Sequence, residues 1–318
     1  MSTTTTTDNA FADDILAGLT AKKKHLSSKY FYDDEGSHIF QQIMNMPEYY
    51  PTNCEFEILS QQSEKILSRL NFSQKFNIVE FGSGDGFKTK QLLKAFLNKA
   101  ADFIYIPIDI SQEANDILKS NILKVLPDID MQPKTGDYFD VLNELSATKA
   151  PNLFLFLGGN LGNYKADEAH ALLAKFAKGM KKGDKMVLGL DLKKNPRIIQ
   201  KAYDDPHGIT KAFNMNLLKR MNKELKMDIA LDQFDFYCHY NPENGEVNSY
   251  LTSLKLQYVY SAVLDTTFTF EKDEMIWTEL SKKYSFDEIT NLAESLNFKV
   301  VENFLDCRHY FTDSLWEK

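Results

Sequence analysis

Residues Asn77 to Lys90, N-I-V-E-F-G-S-G-D-G-F-K-T-K, constrain this chain more than any other stretch. Ile78, Val79 and Phe81 make a short apolar run that reads as a strand, and it delivers Glu80 to the strand's carboxyl end. Gly82, Gly84 and Gly86 follow, and there the backbone can turn sharply and approach a ligand where any Cβ would collide. Leu92, Leu93, Phe96 and Leu97 then recur at helical spacing, so that the free N–H groups at the start of that helix aim back at the glycine loop. This is a place to hold a cofactor, with a plain strand-to-helix turn as the bland alternative.

The glycine spacing separates the candidate ligands. A dinucleotide fingerprint is G-x-G-x-x-G, and its third glycine would fall where this chain has Phe87. The loop is instead G-x-G-x-G preceded by an acid, which resembles the first motif of the class I S-adenosylmethionine (SAM)-dependent methyltransferases. No pyrophosphate has to be cradled there.

A net charge of −8 argues against a nucleic-acid backbone as the main partner, since phosphate contacts need a basic face. A small substrate fits that charge. Cys54, Cys238 and Cys307 are odd in number and scattered, so neither a disulfide framework nor a metal site is expected, and a reducing, cytoplasmic setting is the simplest reading. The first ten residues lack a basic region followed by an apolar core and read as a disordered tail rather than a secretion signal. No apolar run approaches the ~18–20 residues a membrane span requires.

Along the chain, Ala12 to Thr20 reads as a short helix, and Ser37 is placed to cap another with Ile39, Phe40, Ile43 and Met44 on its apolar side. Pro47 and Pro51 bracket Glu48-Tyr49-Tyr50 as an extended turn that presents two tyrosines. Thr52 to Leu70 reads as a helix. Strands and helices then alternate, which argues for a parallel sheet covered on both faces. The strand at 103–108 ends in Asp109, an acid placed to accept both hydroxyls of a ribose, and Ser111 can cap the next helix. Asp137 and Tyr138 offer an acid and an aromatic ring for an adenine. A fourth strand at 152–157 runs into Gly158-Gly159-Asn160-Leu161-Gly162-Asn163, which faces the same crevice outside the carboxyl ends of the strands. A fifth strand runs over 185–190. From Pro196 the alternation stops: helices extend to about Leu231, Tyr250 to Phe270 alternates like antiparallel strands, and Met275 to Tyr284 extends them. A period of two puts Glu279 and Ser281 on one face and Leu280 on the other. The end of the chain reads as a helix and one strand returning to the sheet.

Several of these stretches agree with one family. K-Y-F-Y-D-D-E-G-S-H-I-F at 29–40, P-E-Y-Y-P-T at 47–52, V-E-F-G-S-G-D-G at 79–86, P-I-D-I-S at 107–111, F-L-G-G-N-L-G-N at 156–163, A-Y-D-D at 202–205, A-F-N-M-N-L-L at 212–218 and T-E-L-S-K-K-Y at 278–284 resemble the histidine Nα-methyltransferases of the ergothioneine pathway. The wider family includes fungal enzymes that methylate the α-amine of a prenylated tryptophan. The resemblance implies an α/β fold, a Rossmann-like doubly wound class I methyltransferase sheet with a second α+β substrate domain built from the N-terminal segment and an insertion. The expected division is 1–60 and 196–284 for the substrate domain, and 61–195 and 285–318 for the methyltransferase core.

The resemblance further implies that Tyr49, Gly82, Gly84, Lys88, Asp109, Asp137 and Tyr138 surround SAM. Gly158, Asn163 and Tyr203 would hold the α-amine and carboxylate of the substrate, and Glu279 and Ser281 would receive an imidazole. Tyr32 and Tyr49 would line the site, with Asn163, Tyr203 and Tyr32 acting on the reacting amine. Where histidine-specific members carry a methionine against the imidazole, this chain has Ser249, which leaves that pocket roomier or more polar.

The reaction so implied is attack of a neutral α-amine on a sulfonium methyl, taking free L-histidine to its Nα-trimethyl form in a monomeric enzyme. An α-amine with a pKa of about 8 is mostly protonated at neutral pH. A sulfonium about 4 Å away disfavours the ammonium by up to ~4 kcal/mol at an effective dielectric of about 20, so little dedicated base strength is required. Positioning then becomes the main catalytic contribution. Three alternatives stand beside this reading: another amino acid or amine as substrate, a nicotinamide-dependent oxidoreductase, and a non-catalytic SAM-binding protein.

Overall fold

The computed structural model of the protein describes residues 6–146 and 149–318. The chain forms two units, one from the residues up to Tyr50 together with Lys194–Ser281, the other from Pro51–Lys193 together with Lys282–Lys318. The first opens with α1 (Thr6–Thr20) and α2 (Asp34–Met44), and α3 (Tyr50–Leu70) leads into the second. There β1 (Phe76–Phe81), α4 (Thr89–Asn98), β2 (Phe103–Asp109), α5 (Gln112–Leu123), β3 (Lys134–Thr135), α6 (Tyr138–Ser146), β4 (Asn152–Phe156), α7 (Ala166–Gly179) and β5 (Lys185–Asp191) alternate. The first unit resumes with α8 (Pro196–Tyr203), α9 (Ile209–Glu224), β6 (Phe234–Asn241), β7 (Glu246–Ser253), β8 (Gln257–Ser261), β9 (Thr266–Phe270) and β10 (Met275–Lys282), whose last residue already belongs to the second unit. Helix α10 (Phe286–Ser295) and strands β11 (Lys299–Leu305) and β12 (Phe311–Glu317) complete the second unit.

The second unit is a seven-stranded sheet in the order β11-β12-β5-β4-β1-β2-β3. Strands β1 to β5 pair parallel, and β12 runs antiparallel between β5 and β11. This is the class I methyltransferase topology, and it fixes where a ligand goes: the carboxyl ends of β1, β2 and β4 lie side by side at the point where strand order reverses. Every residue of β1, β4 and β5 is buried, which explains their nearly unbroken apolar runs. Their polar exceptions are paired, as in Asn77 Nδ2 donating to Asn152 Oδ1 at 2.9 Å, while Asn152 in turn reaches Asp184. One face packs Val79, Phe81, Phe154, Phe176, Leu188, Ile289 and Trp316 into a core with α6, α7 and α10.

The first unit has its own core, where Phe11, Ile15, Phe31, Ile43, Phe213, Leu217, Leu251, Phe270 and Ile276 pack together. Its strands form a three-stranded sheet, β10-β7-β6, and the β8-β9 hairpin. Burial alternates along β7, with Val247, Ser249, Leu251 and Ser253 inside.

Several sequence expectations are corrected. Helix α1 begins at Thr6, so residues 6–10 of the expected tail are helical, whereas residues 1–5 lie outside the described residues. Asp33, not Ser37, caps α2: its Oδ1 accepts the Gly36 N–H at 2.7 Å, and Ser37 lies inside the helix. A carboxylate competes well for an N-cap, and a serine four residues on could not be distinguished from it by pattern. Tyr50 is buried at the start of α3 and its hydroxyl accepts from Lys194 Nζ, so the Pro47–Pro51 turn presents one tyrosine, Tyr49, rather than two. Strand β6 went unforeseen because its burial runs B-i-i-e-B-e-B-i, without the strict alternation a surface strand shows. The carboxyl end supplies two strands where one was expected, β12 being buried along Phe311–Trp316 despite carrying Thr312, Asp313 and Ser314.

Candidate active site

The glycine loop sits at the carboxyl end of β1. Gly82 (φ 68°), Gly84 (φ 56°) and Gly86 (φ 73°) all occupy the left-handed region. They answer different demands. A Cβ on Gly82 would lie 3.2 Å from the Tyr138 hydroxyl, whereas one on Gly86 would run into Leu118 and Ile122 of α5. Gly82 and Gly84 are exposed and Gly86 is buried, so the first two present backbone to a ligand while the third admits a helix. Glu80 does not face the ligand side: it is buried, and its two oxygens accept the hydroxyls of Thr89 and Tyr105, each at 2.5 Å. The acid before the loop thus clamps the start of α4 to β1 and β2. Burial raises its pKa above the ordinary value against the opposing effect of those two hydrogen bonds.

Neighbouring strand ends bring the other expected cofactor residues to the same edge. The Gly82 N–H donates to Ile108 O and the Gly136 N–H to Asp109 O, which aligns the ends of β1, β2 and β3. Asp109 is half-buried, and its Oδ1 accepts the Ser111 N–H at 2.9 Å while Ser111 caps α5. Asp137 is exposed and its Oδ1 accepts the Phe139 N–H. The Tyr138 phenol is pushed up to about 12, first by burial and then by the charge of Asp109, with Tyr164 and Asp137 adding to it. Lys88, the N-cap of α4, is tied by an ion pair to Glu55 of α3.

Beyond β4, Gly158 (φ 83°) and Gly159 (φ 71°) turn the chain into a 3-10 turn over Asn160–Asn163. Gly158 and Asn163 are exposed, while Gly162 is buried because a Cβ there would press on the Lys282 backbone. The donor set at this edge fits SAM: exposed left-handed glycines for close backbone approach, a carboxylate at the end of β2 and an aromatic hydroxyl over Gly82. Those residues would hold the nucleoside and the amino-acid portion, with Asp109 at the ribose and Asp137 and Tyr138 at the base.

The expected substrate residues of the first unit form a second grouping. Tyr203, at the end of α8, is buried, and its hydroxyl is 3.0 Å from Ser281 Oγ. Glu279 and Ser281 share a face of β10, with Thr278 and Leu280 on the opposite, buried face. Tyr49 is half-buried, its ring 6.0 Å from that of Tyr203 and 6.4 Å from that of Phe40. Tyr32 meets Phe40 edge-on at 5.3 Å and Phe213 at 5.5 Å, so the rings of Tyr32, Phe40, Tyr49 and Tyr203 form one continuous wall. Burial raises the Tyr32 phenol above its ordinary pKa, and Glu279 and Tyr49 raise it further. Ser249 is buried on β7 opposite Cys238 of β6.

Sequence reasoning missed the supports. Phe40 was read only as part of a helix face, although it joins Tyr32 to Tyr49. The A-F-N-M-N-L-L stretch lies on α9, where Asn216 Nδ2 donates to Asp33 Oδ1 at 2.8 Å and Asn214 Oδ1 accepts the Thr278 hydroxyl at 2.8 Å. Each asparagine pins the residue next to a site side chain, Asp33 beside Tyr32 and Thr278 beside Glu279. Two buried asparagines two apart on a helix were the available signal. Asp205 of the A-Y-D-D stretch accepts the N–H groups of His207, Ile209 and Thr210 and so starts α9.

Residues 11–318 match the histidine-specific, SAM-dependent methyltransferase family. The chain belongs to that family. The methyltransferase is 33% identical over 304 residues to the histidine N-alpha-methyltransferase of Mycolicibacterium smegmatis, covering 96% of this chain and 91% of that one. It is 33% identical over 275 residues to the protein of the same name from Mycobacterium tuberculosis, covering 86% and 84%. Against the ergothioneine biosynthesis protein 1 of Schizosaccharomyces pombe it is 27% identical over 294 residues, 89% of this chain and 37% of that one. Its cofactor is SAM, and the nicotinamide reading is set aside. Among the described residues of the methyltransferase, no helix is long and apolar enough to cross a membrane. Glu57, Asp306 and Cys307 lie close together, but Asp306 spends its oxygens on the N–H groups of Arg308, Tyr310 and Phe311, which makes it a loop-closing residue.

Proposed function

We propose that this methyltransferase transfers methyl groups to the α-amine of free L-histidine, carrying it to the Nα-trimethyl product. The observation that carries this reading is the Tyr203–Ser281 hydrogen bond on the strand face that also bears Glu279. A hydroxyl pair beside a carboxylate suits an imidazole, whose two nitrogens offer one donor and one acceptor in the neutral ring. Glu279 accepts the ring N–H, and Ser281, oriented by Tyr203, donates to the other nitrogen. A site built around such bonds discriminates strongly against side chains that cannot make them.

SAM, when bound, supplies an electrophilic methyl group. The residues of the chain are assigned the remaining tasks. Asp109, Asp137 and Tyr138 orient the nucleoside, and the exposed Gly82 and Gly84 admit close backbone approach. Tyr203 and Tyr32 orient the α-amine, whose neutral form a nearby sulfonium charge favours. Tyr32 is a neutral phenol at neutral pH, and its oxygen orients the amine by accepting an amine N–H, which leaves the lone pair free to attack. A reducing, cytoplasmic setting accords with an odd number of scattered cysteines.

A second reading, another free amino acid as substrate, is favoured by Ser249, a small hydroxyl buried where a large thioether would otherwise fill space. Mass spectrometry of reactions with SAM and each of the twenty amino acids separates the two. A mass gain of three methyl groups on histidine alone supports the proposal. A different preferred substrate replaces histidine with that amino acid, and no product with any of them removes the catalytic reading.

A further inference from the structure

Glu55, near the start of α3, is completely buried in the second unit. Its Oε1 accepts the Gly158 N–H at 2.7 Å, and its Oε2 pairs with Lys88 Nζ. Gly158 begins the loop beyond β4, and Lys88 closes the glycine loop as the N-cap of α4. One side chain from a third element therefore ties together the two loops flanking the strand ends.

The surrounding structure is shaped to admit it. Gly189 lies in the middle of β5, where every residue is buried, and a Cβ there would overlap Glu55 Oε1 and come 3.1 Å from Gly158 N. Glycine inside a strand is unfavourable on its own account, and close approach of another group is the usual reason for it. Across the ladder Gly189 pairs with Asp313 of β12, also fully buried. Burial, and then the charge of Glu55, push Asp313 well above the usual carboxylate range against the pull of Lys88. Burial opposes the charge on Lys88, but the attraction of Glu55 outweighs it and holds the ammonium above its ordinary pKa. The geometry pairs Glu55 with Lys88. A buried ion pair adds little net stability because desolvation offsets attraction, whereas it does fix the geometry of the groups it joins.

We propose that Glu55 is a positioning residue for SAM: it presets the Lys88 ammonium and the Gly158 N–H, and through them the two loops, with Gly189 kept small to admit its carboxylate. This rests on the reading of the glycine loop as the SAM site. The test is a double-mutant cycle on SAM binding by calorimetry, with thermal melts to verify folding. Glutamine at 55 retains an oxygen for Gly158, so the cycle isolates the tie to Lys88. Glu55→Gln is expected to weaken SAM binding tenfold or more while kcat at saturating SAM stays within threefold. Lys88→Met is expected to weaken SAM binding to the same degree, and the double variant to be no more than twofold worse than Lys88→Met. Gly189→Ala leaves every charge in place but displaces the carboxylate, and it should reproduce the tenfold loss; it carries the test if Glu55→Gln does not fold. Binding by Glu55→Gln within twofold of wild type, losses that multiply in the double variant, or unaltered binding by Gly189→Ala would overturn the proposal. Failure of the wild-type protein to bind SAM would instead overturn the cofactor-site reading beneath it.

Discussion

Replacing Asp109 with asparagine removes one charge and one acceptor from the end of β2 while disturbing the fold little. The carboxylate already spends Oδ1 on the Ser111 N–H, at 2.9 Å, and the asparagine oxygen can keep that bond. The other oxygen becomes an NH2 group, which cannot accept from a ribose hydroxyl. A hydrogen bond to a charged group is worth about 1.5–3 kcal/mol. At about 1.4 kcal/mol per tenfold, Asp109→Asn should weaken SAM by roughly 10- to 100-fold. Calorimetric titration with SAM and with S-adenosylhomocysteine measures this, and both should weaken alike because they share the ribose. A second readout needs no ligand. The Asp109 charge follows only burial among the causes that push Tyr138 up to about 12, so the variant should lower that pKa in an ultraviolet titration of phenol ionisation. Binding within threefold of wild type would refute the assignment of Asp109 to the ribose. Equal weakening with no movement of Tyr138 would refute the electrostatic influence of Asp109 on that phenol.

The remaining predictions concern the first unit. Glu279→Gln should raise KM for histidine tenfold or more and leave SAM affinity within twofold, measured by initial rates and calorimetry. Tyr203→Phe removes the hydroxyl 3.0 Å from Ser281 and should lower kcat/KM for histidine by about 10-fold, as expected for about 1–1.5 kcal/mol from one neutral hydrogen bond. Asn216→Ala leaves Asp33 short of a buried donor and should cost about 1–3 kcal/mol in denaturant unfolding, with a further fall in kcat through Tyr32. Burial works against the charge on Asp205, but its hydrogen bonds to backbone N–H groups dominate and hold its pKa below 3.8. A depressed carboxylate contributes stability that is present above its unfolded pKa and lost as pH falls through its folded pKa. The stability gap between wild type and Asp205→Asn should therefore be full at pH 6–7 and close only below about pH 4.

Much of the second unit was legible because its elements obey local rules. Buried parallel strands show as apolar runs, three glycines mark one turn, and Ser111 caps where a cap was expected. What escaped depended on pairing between residues far apart in sequence. Strand β12 carries Thr312, Asp313 and Ser314 into the sheet interior, so polarity concealed it. The sequence places Glu80 only at the end of a strand, and the fold shows its oxygens committed to Thr89 and Tyr105. The candidate site residues stand out where chemistry shows in residue type, as with Asp109, Tyr138 and the Glu279/Ser281 pair. The supports were not: Asn214, Asn216, Phe40 and Glu55 act by holding neighbours, and a single sequence carries no sign of which neighbour each one holds.

The most direct test of methyl transfer to the α-amine is the position of the transferred groups. Wild-type enzyme incubated with SAM and free L-histidine should yield a product whose fragmentation and NMR spectra place three methyl groups on the α-nitrogen and leave the imidazole unmodified. Methylation of a ring nitrogen, or no turnover of histidine at all, would contradict the account.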